Sequence, residues 1–206
     1  MTLVGYLVYH GGTPPQHGRA YDYVLAGDGL SIAAESRHLR ARVPVATTTI
    51  RGLPPLHPFF AMRHGRLPQA IWNAIVATMR NHVDREILVA VVVQDSRYRL
   101  VRPPQVGAPH RVLYRPPADA LLEIHSHGHH PARFSPTDDA DEQGFRVYGV
   151  VGCLDTDQPE VALRVGVYGH FLSLPWEAVF AGDRSGIWDA AVASADVWDG
   201  TDELHH

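Results

Sequence analysis

Lysine is absent from this chain of 206 residues, and all 18 of its basic side chains belong to arginine. The simplest cause is codon bias in a GC-rich genome, which the abundance of alanine, proline, valine and glycine supports. The alternative is that the protein works beside a system that modifies lysine side chains and offers that system no side-chain amine. This alternative gains weight only if the chemistry of a functional site points the same way.

Cysteine occurs once, at Cys153. An internal disulfide and a Cys-x-x-Cys metal site are therefore excluded, so a bound zinc ion would have to use histidine and carboxylate ligands. Cys153 lies in the apolar run of residues 149–154 and is interpreted as a buried strand residue, because a reactive thiolate needs exposure and a lowered pKa.

Long apolar runs are also missing. No stretch approaches the roughly 18 residues that a membrane-spanning helix needs, and the N-terminus lacks a charged segment followed by an apolar one. The formal net charge is -4, and no dense basic run with interleaved aromatic residues indicates a nucleic-acid interface. We therefore expect a cytoplasmic protein that binds neither membranes nor nucleic acids.

Apolar periodicity separates a β-rich start from a mixed second part. Strand-like segments lie at residues 3–9, 21–26, 30–34 and 41–50, with a hairpin turn at Gly27-Asp28-Gly29. Residues 52–68 are predicted to interrupt regular structure, and an amphipathic helix follows from Pro68. Further strands are predicted at residues 87–93, 98–101, 111–115, 121–127, 147–154 and 161–168, and further helices at residues 136–144, 175–180 and 187–197.

The predicted fold class is α/β, an α+β arrangement in which a mixed sheet carries flanking helices. We expect a β-rich N-terminal extension at residues 1–67, a catalytic domain at residues 68–182, and an acidic C-terminal helix and tail at residues 183–206. The closing His205 and His206 are interpreted as a tag remnant and excluded from functional reasoning.

Histidines at alternating positions are the first chemical signal. Side chains of a strand alternate between faces, so Glu123, His125 and His127 are predicted to share one face of the strand at residues 121–127. Two imidazoles on one face can bind zinc, whose catalytic sites keep three protein ligands. Ser135-Pro136-Thr137-Asp138 then has the form of a helix N-terminus, which would bring Asp138 to the same place.

The combined pattern His125-Ser126-His127-x7-Ser135-x-x-Asp138 resembles the signature of the JAMM metalloprotease family, also called MPN+ or Mov34/JAB domains, in its prokaryotic form. The resemblance spans residues 68–182 and implies a JAB/MPN-like catalytic domain. Residues 1–67 look faintly like the A protein of bacterial plasmid cassettes that also encode ParB-related and ThiF-related proteins.

The family resemblance implies a role for each motif residue. His125, His127 and Asp138 would bind one zinc ion, which activates water. Glu86 would act as the general base and then protonate the leaving amine, and Ser135 would donate a hydrogen bond to the oxyanion.

The same resemblance implies a zinc metallopeptidase that cleaves an isopeptide or peptide bond, at the C-terminus of a ubiquitin-like or sulfur-carrier-like protein, with a ThiF-like activating enzyme as partner. Substrate choice is expected to lie in the loops at residues 102–119 and 139–146. Two rival functions are a catalytically silent MPN-type scaffold and a zinc hydrolase of small-molecule amides.

Several assignments stay open at the sequence level. Three residues after Glu86 the chain has Val89 where the family commonly has glycine, so Glu123 is a rival for the base and the distant Glu35 a weaker one. Two histidines that follow the motif, His129 and His130, are either additional ligands or bystanders. Asp139 could replace Asp138 only if the helix started one residue later.

Overall fold

The computed structural model of the protein describes residues 3–12, 18–108, 111–115 and 117–193. Within these ranges the chain forms two main sheets, one separate hairpin and four helices. Mixed sheets with few helices confirm the predicted α/β class.

The first sheet contains β1 (Val4–Val8), β2 (Tyr21–Ala26), β3 (Gly29–Glu35), β4 (Leu39–Thr47) and β5 (Phe59–Met62), in that order. β1 runs parallel to β2, and the other neighbours are antiparallel. The predicted hairpin joins β2 to β3, where Gly29 has a φ of 130° that glycine adopts readily. β5 corrects the prediction that residues 52–68 lack regular structure, because this short apolar segment pairs with β4.

The second part begins with helix α1 (Gln69–Arg80), as predicted. Its strands are β6 (Leu88–Gln94), β7 (Arg97–Val101), β8 (Gln105–Ala108), β9 (Arg111–Tyr114), β10 (Ala120–Ser126), β11 (Phe145–Gly152), β12 (Glu160–Val167), β13 (His170–Leu174) and β14 (Trp188–Asp189). The remaining helices are α2 (Pro136–Asp141), α3 (Trp176–Val179) and α4 (Ala190–Ala193). The large sheet has the order β13-β12-β11-β10-β6-β7, with β14 beside β12, while β8 and β9 form the separate hairpin.

One hydrophobic core joins the two sheets. Trp72, Ile75 and Met79 of α1 belong to the same buried cluster as Ile32 and Val43 of the N-terminal sheet. β4 also contacts β13 and β12 directly. The N-terminal segment therefore packs as part of the same core as the second sheet, and apolar burial of this kind is the main force that holds the two together.

The opposite face of the large sheet carries a polar row across three central strands. Glu123 of β10 is the register partner of Tyr148 on β11, which is the register partner of Arg164 on β12. His125 lies on the same face two residues beyond Glu123, since side chains alternate along a strand. The polar face therefore leads directly to the histidine motif.

Two expectations need correction towards the C-terminal end. Cys153 follows β11 rather than lying within it, with a left-handed φ of 49° and a partly exposed side chain. Burial and then Glu160 raise the pKa of its thiol, which agrees with an unreactive cysteine. The helix predicted at residues 187–197 is preceded by β14 and begins at Ala190, and residues 194–197 lie outside the described ranges together with Trp198, His205 and His206.

The described helices are short. Among them, none has both the length and the apolar character needed to cross a membrane.

Candidate metal centre

His125 and His127 converge at the end of the central strand β10. Their Nε2 atoms are 3.2 Å apart. Strands β6 and β11 flank β10 on both sides, and the ladder continues through the backbone N–H of His127, which donates to the carbonyl of Val151 at 2.8 Å. The Ser126 side chain points the other way and accepts a hydrogen bond from the Ile87 N–H at 3.0 Å. The sheet therefore fixes the backbone from which both imidazoles project.

Both imidazoles are held in a form that suits metal binding. His125 is buried, and this burial lowers its pKa to about 4, even though the charge of Asp138 opposes the shift. The ring is therefore neutral at physiological pH and keeps a nitrogen lone pair. The Nδ1 of His127 lies 3.1 Å from the carbonyl of Pro131. We assign the proton to this Nδ1, which leaves Nε2 free to face His125.

Asp138 reaches the histidines from the first turn of α2. Ser135 caps this helix and forms a capping box: its Oγ accepts from the Asp138 N–H at 3.2 Å, while Asp138 Oδ2 accepts from the Ser135 N–H at 2.6 Å and from the Ser135 hydroxyl at 2.7 Å. The other oxygen, Oδ1, lies 3.5 Å from His125 Nε2. The cap thus holds one carboxylate oxygen and turns the other towards the imidazoles.

The spacing of the three ligand atoms fits a metal ion. One atom from each of His125, His127 and Asp138 lies within 4.8 Å of the others. Two ligands on a tetrahedral zinc ion, each at about 2.0–2.1 Å, are about 3.3 Å apart, which is close to the observed 3.2 and 3.5 Å. Three groups of this chemistry could hold one zinc ion and leave a fourth position open.

Glu86 lies just before β6, whose Leu88 is the register partner of His125. Burial and then the negative charge of Asp138 raise the pKa of Glu86 to about 7. The carboxyl group of Glu86 is therefore close enough to Asp138 for their negative charges to interact. A carboxyl group with a pKa near neutrality can both accept and donate a proton there.

Glu123 and Glu35 have other partners. Glu123 is buried and forms an ion pair with Arg146 of β11. Glu35 forms an ion pair with Arg63 in the N-terminal part of the chain. Glu123 therefore pairs with Arg146 although it shares a strand face with His125, whereas the negative charge of Asp138 contributes to the raised pKa of Glu86.

The other candidate ligands near the motif, His129, His130 and Asp139, lie outside the cluster. His129 lies 3.0 Å from a carboxylate oxygen of Asp155 and 3.7 Å from one of Asp84. Asp139 accepts a hydrogen bond from Arg164 at 2.6 Å. Within the described ranges, the metal-type cluster comprises only the two motif histidines and Asp138, without His129, His130 or Asp139.

The sequence motif does not include Arg164, which is buried on β12 and forms ion pairs with acidic side chains within α2 and at its C-terminal end. Its sequence signal is a single arginine inside the apolar run of residues 161–167. Buried charges are paired in folded proteins, so such an arginine predicts a carboxylate partner on the same sheet face. The sequence does not indicate which carboxylate this is.

Residues 68–165 match a protein family described as prokaryotic homologs of the JAB domain. These residues form a prokaryotic JAB domain. The match runs from the residue before α1 into β12 and includes Glu86 and the whole histidine and aspartate motif. No curated protein matches the chain, and the likeness of residues 1–67 to the plasmid-cassette protein stays a prediction.

Proposed function

We propose that the JAB domain is a zinc metallopeptidase that cleaves an isopeptide or peptide bond at the C-terminus of a ubiquitin-like or sulfur-carrier-like protein. The observation that carries this proposal is the His125, His127 and Asp138 cluster, whose ligand atoms all lie within 4.8 Å of one another, with His125 Nε2 at 3.2 Å from His127 Nε2 and 3.5 Å from Asp138 Oδ1. Zinc bound there would supply Lewis-acid activation of water and polarisation of the scissile carbonyl.

The protein side chains divide the remaining work. The Nε2 atoms of His125 and His127 and the Oδ1 of Asp138 would hold the ion. Glu86 takes the proton from the attacking water and delivers it to the leaving amine, which its elevated pKa favours. The peptide bond breaks between the carbonyl carbon and that amine, so the products are a carboxylate and a free amine.

The partner side of the proposal rests on composition. A chain with 18 arginines and no lysine offers no side-chain amine for conjugation. This supports a setting with amine-conjugating, ThiF-like activating enzymes. Substrate contacts are assigned to residues 102–119, which include the β8–β9 hairpin, and to residues 139–146 after the metal-binding aspartate.

Ser135 has two roles in this proposal: its hydroxyl donates to Asp138 Oδ2 and orients that side chain, and during the reaction its single proton would turn to the oxyanion. We expect S135A to weaken zinc binding about tenfold through the loss of ligand orientation. At saturating zinc, we expect kcat to fall at least about 100-fold through the loss of an oxyanion donor. Zinc titration followed by kinetics at saturating zinc separates the two effects.

S135T is the matched control, since threonine keeps a hydroxyl and still caps a helix. It should retain more activity than S135A. Full kcat for S135A at saturating zinc would remove the oxyanion role and leave only the cap.

Zinc should also stabilise the fold. Zinc at about 100 times its Kd adds about 2.7 kcal/mol to the free energy of unfolding, which raises the Tm of a chain of this size by about 5–10 °C. Thermal unfolding of chelator-treated protein with and without zinc measures this shift. An unchanged Tm together with no zinc in elemental analysis would favour the silent scaffold.

A substrate panel tests the choice of bond. We expect the zinc-loaded protein to cleave fusions in which a ubiquitin-like C-terminus is joined to a lysine side chain or to a peptide, and mass spectrometry should place the cut at the terminal carbonyl. Turnover of small amides alone would overturn the peptidase assignment in favour of the small-amide hydrolase.

A further inference from the structure

Helix α2 carries a metal ligand but has no apolar anchor. It contains six residues, Pro136–Asp141, and none of them is buried. Isolated helices of this length are unstable in water, and most helices in proteins are held by an apolar face. The position of Asp138 relative to the sheet must therefore depend on polar contacts that reach beyond the helix.

Arg164 supplies these contacts from β12. Its Nη1 donates to Asp139 Oδ1 at 2.6 Å, while its Nε and Nη2 donate to Glu142 Oε2 at 2.8 and 2.6 Å. Asp139 lies in the first turn of α2, and Glu142 caps its C-terminal end. One guanidinium group thus forms hydrogen bonds at both ends of the helix, and such charge-assisted bonds are stronger than neutral ones.

Two aromatic rings fix the guanidinium group. The Cζ of Arg164 lies 3.8 Å from the ring centroid of Phe134 and 3.7 Å from that of Phe171. Arginine stacks on aromatic faces in this way, and stacking limits its orientation. At Gly166, an added Cβ would lie 2.5 Å from the Tyr148 ring and 3.2 Å from the Phe171 ring. The absence of a side chain there leaves room for these rings.

From this geometry we infer that Arg164 is a positioning residue for the metal centre and sets the distance between Asp138 and the two histidines. The large sheet fixes the two histidines, whereas α2 fixes Asp138. The hydrogen bonds of Arg164 connect α2 to the sheet. The inference rests on the proposed metal-binding function. Arg164 is not itself a ligand, but it controls how the ligands are spaced.

The test compares R164M with R146M. Arg146 is a matched control because it lies on the same face of the same sheet and pairs with Glu123, outside α2. We expect R164M to weaken zinc affinity about 10- to 100-fold, the usual cost of losing a group that orients a ligand. R146M should lower the Tm but leave zinc affinity unchanged. R164K, which keeps the charge without the planar fork, should fall between R164M and the parent.

A second readout is independent of metal. In metal-free protein, R164M should speed amide hydrogen exchange at residues 137–142, whereas R146M should not. Parent-like zinc affinity and parent-like exchange in R164M would overturn the inference while leaving the proposed function intact. A parent protein that binds no zinc would instead overturn the proposed function and, with it, the metal-positioning role of Arg164, even if α2 exchange increased.

Discussion

Replacing Glu86 by glutamine is expected to leave zinc binding intact and to lower kcat about 100- to 10,000-fold, the usual contribution of general acid–base catalysis. Glutamine has nearly the same shape as glutamate but cannot take a proton from water. Glu86 is outside the ligand cluster, so the ion should stay. Elemental analysis of the purified variant and kinetics on a substrate that the parent cleaves measure the two quantities separately.

E123Q is the control for this prediction. Glu123 is a buried glutamate with Arg146 as its partner, so its replacement should lower stability and spare kcat at temperatures where the variant is folded. If E123Q abolished turnover and E86Q did not, the assignment of the base would be wrong.

Removing the carboxylate of Asp138 has the largest expected effect on the metal. We expect D138A to weaken zinc affinity by more than the roughly 100-fold that marks the upper range for groups that only orient ligands. The reason is that two imidazoles alone leave zinc with one protein ligand fewer than catalytic sites use. Competition with a chelator of known affinity measures the change.

D141A controls for the charge of the helix. Asp141 is exposed and lies on the same helix as Asp138. D141A should bind zinc as the parent does, because an exposed carboxylate outside the cluster contributes little. Unchanged zinc affinity in D138A would mean that the third ligand lies elsewhere.

Local rules predicted most of the candidate metal cluster. Strand alternation brought His125 and His127 to one side, and helix capping explained how Ser135 and Asp138 reach them. Both rules act over a few residues, so the sequence contains what they need. The structure adds one detail that the sequence pattern does not predict: one carboxylate oxygen of Asp138 accepts the hydrogen bonds of the capping box.

Long-range contacts could not be predicted in the same way. The choice between Glu86 and Glu123 depends on Arg146, which lies 23 residues beyond Glu123. The Arg164 contacts likewise depend on the register between β11 and β12. A sequence pattern shows that a buried arginine needs a partner but not which strand will provide it.

The missed strands have a similar explanation. β5 and β13 are short apolar segments, and each pairs with a longer neighbouring strand. Short runs of this kind do not distinguish strand from loop by periodicity. The shared core of the two sheets was not predicted either, because the proline-rich stretch between them suggested a boundary. This core follows from how the two sheets pack.

A crystal structure of zinc-loaded protein, with anomalous scattering collected at the zinc edge, tests the central claim most directly. We predict one zinc peak at about 2.0–2.2 Å from Nε2 of His125, Nε2 of His127 and Oδ1 of Asp138, with the Glu86 carboxylate within hydrogen-bond reach of the fourth position. A zinc peak elsewhere, or Glu123 in place of Glu86 beside the open position, would contradict it.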